Sequence, residues 1–138
     1  MNSADRESIA ARVLGYSRAE QTEVGVYYSH SELTRFTQNS VHQNVAAGDV
    51  AVRVRAIVAK RTGVASTNAL DEASLQAVVA QAIETANLAP EDPDLVRLPS
   101  GGPVQTPEGA YVRETADAPP RLRAEMCDAM FKAAEQHD

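Results

Sequence analysis

The stretch Val50-Ala51-Val52-Arg53-Val54-Arg55-Ala56-Ile57-Val58-Ala59-Lys60-Arg61-Thr62-Gly63-Val64-Ala65-Ser66-Thr67 decides the fold. Its period is two. Val50, Val52, Val54, Ala56 and Val58 point one way; Ala51, Arg53, Arg55, Ile57 and Ala59 point the other. One face is apolar and the other mixed, the pattern of an antiparallel sheet with one side on a core. Lys60-Arg61-Thr62 turns the chain into a further strand over Gly63 to Thr67.

Upstream the same period continues. Thr22, Val24, Val26 and Tyr28 alternate with Glu23, Gly25, Tyr27 and Ser29, with the β-branched and aromatic enrichment of a strand. Leu33 to Thr37 and Val41 to Ala46 follow, separated by the turn chemistry of Gln38-Asn39-Ser40. The expectation is an antiparallel meander of four to five strands. Before it, residues 3–15 read as a helix capped by Ser3 and closed by Gly15, with Ile9, Val13 and Tyr16 on one face.

Downstream, Leu75, Val78, Val79, Ala82 and Ala86 recur at helical spacing. Asp71 and Glu72 suit the N-terminal end and Pro90 stops it, so residues 70–89 form a helix. All seven prolines lie between 90 and 120, which predicts a long connector. A last helix runs from Pro119-Pro120 to about Gln136. Leu122, Met126, Ala129, Met130 and Ala133 make its packing face, and Cys127 is a buried thiol beside it. The fold class is α+β: an N-terminal helix, a meander, a helix covering it, a Pro-rich loop and a C-terminal helix. The domains are an α+β core over 1–89, a connector over 90–118, and a helix over 119–138 leading to a missing downstream domain.

Composition explains why the sheet must carry the core. The chain has 138 residues and 14.8 kDa, and 24 of its 60 hydrophobic residues are Ala. Leu, Ile, Val and Phe number only 28, and 10 of the 15 Val lie in residues 1–64. That excludes a collagen, a coiled coil and a disulfide scaffold. The net charge of −6 is uneven: residues 1–67 are net +2 and residues 68–138 net −8. Without a basic run, neither nucleic acid nor a membrane surface is an expected partner. A single cysteine, no signal peptide and no membrane span lead to a cytoplasmic location as the expectation.

The motifs of common chemistries are missing. His30, His42 and His137 each stand alone, without the ligand spacing of a zinc site. There is no phosphate loop and no Gly-x-Ser-x-Gly elbow. Asp71-Glu72 suits a helix dipole, and Glu91-Asp92-Pro93-Asp94 is solvated loop charge. No catalytic residue, metal ligand or cofactor site is expected in this chain. The informative polar stretch is Thr34 to Asn44, which has more amides than a strand needs for packing. It reads either as a solvated strand face or as a groove for an extended peptide or a partner subunit. Arg53 and Arg55 pose the same choice: exposed cations, or contacts to acidic partners. The candidate contact residues are Arg35, Asn39, His42, Asn44, Arg53 and Arg55.

Taken in order, Glu23-Val24, Leu33-Thr34-Arg35-Phe36 with Asn39, Val41-His42-Gln43-Asn44, Val52-Arg53-Val54-Arg55, and Gly63-Val64-Ala65-Ser66-Thr67-Asn68 before an Ala-rich helix resemble a known pattern. It is similar to the N-terminal region of the TldD/PmbA family, often labelled "modulator of DNA gyrase" and grouped with metallopeptidases. The Ala-Ser-Thr-Asn segment looks closer to PmbA- or TldE-like members. The resemblance implies a much longer parent, acting on peptides or unfolded segments enclosed between two subunits. Its metal motif, His-Glu-x-x-x-His with a later Cys, belongs to the downstream region, so zinc is implied there and not here. No family catalytic residue maps onto these positions, and Cys127 does not stand in for the metal-site Cys. The expected function is a non-catalytic N-terminal domain contributing to homo- or heterodimeric subunit association and peptide guidance. The alternatives are a stand-alone protein-interaction module and a regulator of DNA gyrase.

Overall fold

The computed structural model describes residues 1–100, 102 and 107–136. Helix α1, Ser3–Tyr16, starts from a capping box one residue earlier than the sequence suggests. The Asp5 N–H donates to Asn2 Oδ1 at 2.9 Å, and the Asn2 N–H donates to Asp5 Oδ2 at 3.1 Å. Ser3 instead bonds Glu7 on the first turn. The C-cap is Ser17 rather than Gly15.

Three strands follow: β1 (Gln21–Thr37), β2 (Ser40–Val58) and β3 (Arg61–Thr67), in the sheet order β1-β2-β3. The antiparallel meander is there, with three strands rather than four to five. Ser29 to Glu32 and Ala47 to Asp49 are rich in turn-forming residues, yet their backbone stays extended. Each pair of expected strands is therefore one long one. The two connections are two-residue turns with positive φ at both positions: Gln38 (48°) with Asn39 (54°), and Ala59 (49°) with Lys60 (59°). Such turns match the twist of the flanking strands but prefer Asn and Gly. The Ala59-Lys60 turn is held by its neighbours. The Ala59 N–H donates to Glu20 Oε1 at 2.8 Å, and Lys60 O accepts from the Asp92 N–H at 2.9 Å.

Helix α2, Glu72–Leu88, is capped by Asp71, whose Oδ1 accepts from the Ser74 N–H at 3.0 Å. Its Leu75, Val78, Val79 and Ala82 pack with Ile9, Val13, Val52, Val54, Ala56 and Ala65 in one core. Thus α1 and α2 cover one face of the sheet, and Arg53 and Arg55 lie on the other. β2 and β3 pair from Val58↔Arg61 to Val52↔Thr67, which puts Gly63 opposite Ala56. Gly63 is where α2 comes closest. A Cβ there would meet Ala82 O at 2.1 Å and Ala86 N at 2.2 Å.

Contacts divide the chain into two units. Unit 1 comprises residues 1–29 and 48–100, and contains the core just described. Unit 2 comprises residues 30–47 and 101–138. Its elements are the β1–β2 hairpin end, a short helix α3 (Arg113–Ala116) and α4 (Pro120–Glu135). This division follows contacts, whereas the limits at 89 and 118 follow composition. Residues 90–98 return to unit 1, where the Leu98 N–H donates to Gln21 Oε1 at 2.8 Å. On α4 the expected packing face is mostly open: Leu122, Met126 and Met130 are 44%, 60% and 50% exposed, while Cys127 is buried. Among the described residues no helix is long and apolar enough to cross a membrane.

Candidate functional site

Within unit 2, side chains alternate across the hairpin. One face meets α4 through Arg123. Its Nη1 pairs with Glu32 Oε2 at 2.5 Å, its Nε donates to Thr34 Oγ1 at 3.2 Å, and its Nη2 donates to Asn44 Oδ1 at 3.4 Å. The Thr34 hydroxyl in turn donates to Asn44 Oδ1 at 3.0 Å. Phe36 meets Phe131 edge to face, with ring centroids 5.1 Å apart. The Arg123 guanidinium, and then His30 at 3.3 Å, hold the Glu32 carboxyl below the usual glutamate range.

The opposite hairpin face carries Leu33, Arg35, Val41, Gln43 and Val45. Arg35 Nη1 donates to Gln43 Oε1 at 3.2 Å, which joins the two strands on that face. The apolar residues around this pair are part open: Leu33 is 44%, Val41 39% and Val45 38% exposed. A polar bridge flanked by half-exposed aliphatic side chains suits a protein surface better than a small-molecule pocket.

In unit 1 a depression of about 130 Å³ lies on the sheet face away from the helices. Glu23, Gly25, Tyr27, Arg53 and Arg55 line it. Arg55 Nη2 pairs with Glu23 Oε2. Gly25 is the floor, since a Cβ there would sit 2.7 Å from Tyr27 Cε2 and 2.8 Å from the Tyr27 hydroxyl. The tyrosine ring therefore leans back along its own strand over the glycine.

The six candidate residues separate into two groups. Arg35, Asn39, His42 and Asn44 belong to unit 2, and Arg53 and Arg55 to unit 1. Asn39 makes the hairpin turn, and Asn44 is engaged by Thr34 and Arg123. Arg35 and His42 are exposed on the hairpin, and Arg53 is exposed at the depression. His30 is exposed as well; His137 lies outside the described residues. Sequence reasoning missed Arg123 and Glu32, because 91 positions separate them and nothing in the period links them. Glu23 and Tyr27 were findable: strand parity alone puts them on the face opposite Val24 and Val26. Among the described residues no three His, Cys, Asp or Glu side chains converge on a point.

The model of the PmbA/TldA metallopeptidase domain 1 matches residues 22–86, the whole run from β1 to the last turn of α2. Residues 22–86 are a first domain of that family. A crystal structure of TldE from Thermococcus kodakarensis has the same fold, with a TM-score of 0.78 at 22% identity over 96% of this chain. The chain spans 29% of the length of that TldE chain. No curated protein matches it. Both sites lie partly or wholly on the PmbA/TldA first domain: the depression entirely, and the hairpin through residues 30–47.

Proposed function

We propose that this chain acts as the non-catalytic N-terminal domain of a TldD/PmbA-type peptidase assembly, of the TldE-like kind. It associates with a second family subunit, the same or different, and guides a peptide or unfolded segment into the space between them. Catalysis, and any zinc it uses, belongs to the remainder of the parent or to the partner. The lone cysteine suits action in the cytoplasm.

One observation carries the reading. The hairpin face opposite Arg123 leaves Leu33, Val41 and Val45 part exposed around the Arg35–Gln43 bridge. Apolar side chains grouped on one strand face favour burial against a partner, and an arginine among them supplies polar specificity. The structure also sorts the candidates for testing. Asn44 is engaged by Thr34 and Arg123; Arg35, on the proposed face, is the cleaner probe.

The test is sedimentation velocity of the chain, alone and co-expressed with a family partner subunit. Leu33→Glu with Val45→Glu places two charges in the proposed contact and should abolish association. Arg35→Ala should weaken it. Unchanged association in the double glutamate variant rejects the reading. A stand-alone interaction module would bind a partner unrelated to the family by the same face, and the partner recovered in the complex separates the two.

A further inference from the structure

The depression on unit 1 carries a local excess of positive charge. The chain is net −6, but two guanidinium groups and one carboxylate line this hollow. Arg53 and Arg55 are two positions apart on β2, so both project from the same sheet face. The Arg55–Glu23 pair leaves one positive charge in excess. Arg53 forms no ion pair among the described residues.

The shape also selects. Gly25 contributes no side chain, which leaves room for the Tyr27 ring over the backbone there. Tyr27 leans over it and brings a hydroxyl donor to the same wall. The donors are thus two planar guanidinium forks and a phenol. The one fixed acceptor, Glu23, is already engaged by Arg55. A site with surplus donors, excess positive charge and about 130 Å³ of space matches a planar anion the size of one carboxylate. Arginine binds carboxylates by two parallel N–H bonds, stronger and more directional than a lysine contact.

We infer that Arg53, with Arg55 and Tyr27, forms a subsite that binds a carboxylate of an extended peptide. The inference rests on the peptide-guidance reading and names the chemistry it selects. Arg53 is the principal donor, because Arg55 keeps Glu23. Glu23 sets the limit on affinity, since a second carboxylate must approach a paired one. A peptide offers carboxylates from two sources, its C-terminus and its Asp or Glu side chains. The shared chemistry is the same, and peptide chemistry can separate them.

The probes are four short acetylated alanine peptides: a free acid, its amide, an amide with one Glu, and the same with Gln. They are titrated into the 138-residue chain at low salt, following the arginine Nε–Hε resonances. A peptide with a carboxylate should shift Arg53 and Arg55 saturably; the plain amide and the Gln peptide should not. Shifts by the free acid alone assign the C-terminus; shifts by the Glu peptide assign a side chain. Arg53→Gln should weaken binding by about tenfold or more, the loss of one charge-assisted pair. Tyr27→Phe should weaken it less, and Arg121→Gln on α4 should leave it unchanged. Added salt should weaken it, as expected of a part-exposed ion pair. Equal binding of acid and amide, unchanged binding in Arg53→Gln, or no shift at tens of millimolar peptide would overturn the inference. The measurement uses no second subunit, so failure of the association reading leaves it intact, and the converse holds.

Discussion

Replacing Gly63 by Ala tests the packing on which unit 1 depends. A Cβ at this position falls 2.1 Å from Ala82 O, 2.2 Å from Ala86 N and 2.9 Å from Ala86 Cα. All three are backbone atoms, so no side chain can rotate out of the way. Restoring a normal contact of about 3.5 Å needs α2 to withdraw by more than about 1 Å. A radial gap of even ~0.5–1 Å forfeits a quarter to a half of the dispersion well across the contact. That contact includes Leu75, Val78, Val79, Ala82 and Ala86, all 2% exposed or less. Overpacking of this kind costs about 3 kcal/mol, at the top of the usual range because the obstacle is rigid. Alanine recovers about 0.5–1 kcal/mol through its lower unfolded-state entropy. The net loss is therefore about 2–2.5 kcal/mol. In urea, with an m-value of about 1.5 kcal/mol/M, the midpoint should fall by roughly 1.3–1.7 M with m unchanged. Ala86→Gly in the same background should rescue nothing, because the clash is with the Ala86 backbone. Gly15→Ala is the control. It lies in α1 with nothing within 4 Å of its Cβ position, and should stabilise by about 0.5–1 kcal/mol. A Gly63→Ala loss below about 0.5 kcal/mol would refute the close approach of α2 to β3.

Four further outcomes follow from particular residues. Ala59→Asn with Lys60→Gly suits the positive φ of that turn and should stabilise by about 1 kcal/mol in the same denaturation assay. Asp71→Ala should lower Tm by roughly a few degrees. Its carboxyl lies below the ordinary aspartate value through bonds from the Ser74 hydroxyl and N–H. The cap therefore contributes fully above that value and is lost as pH falls through the lowered one, and a Tm-against-pH scan of the two proteins should converge in acid. Glu32 follows the same sign, since Arg123 lowers its pKa: exchange protection of α4 should fall in acid in the native chain and show no such step in Glu32→Gln. At neutral pH, α4 should be the least protected long element by hydrogen exchange, below Val50–Val58, because Cys127 is its single buried residue.

The core was legible because it obeys two simple periods. The alternation of Val52, Val54 and Ala56, and the helical recurrence of Leu75, Val78, Val79 and Ala82, locate most of the core of unit 1. Strand number was less legible. Ser, His, Gly and Asp at residues 29–31 and 48–49 have turn chemistry, but a long twisted ribbon tolerates them where both faces meet solvent. Gly63 carries a signal of another kind. A glycine inside a strand followed by an alanine-rich helix points to close backbone approach, though only the structure shows which helix atoms fill the space. The candidate polar residues were legible as a group, not as roles. Which amide closes a turn, which braces Arg123 and which faces solvent depends on partners up to 79 positions away.

The composition now divides along the same line as the contacts. Of the buried apolar residues among those described, all but Cys127 belong to unit 1. Unit 2 holds Leu33, Phe36, Val41, Val45, Leu122, Met126 and Met130, each at least 38% exposed. What organises unit 2 is mainly polar: one arginine bonded to Glu32, Thr34 and Asn44, plus one aromatic edge contact. Solvent-screened ion pairs and exposed hydrogen bonds of this kind contribute little each, against about 1–2 kcal/mol for each backbone residue ordered. Such a unit gains most from burying its apolar side chains against another surface, since binding to the folded form alone stabilises that form. Association and order in unit 2 are therefore coupled on the proposed reading. A bound partner should raise α4 protection while leaving that of Val50–Val58 unchanged, and equal gains in both would show the contact to lie elsewhere.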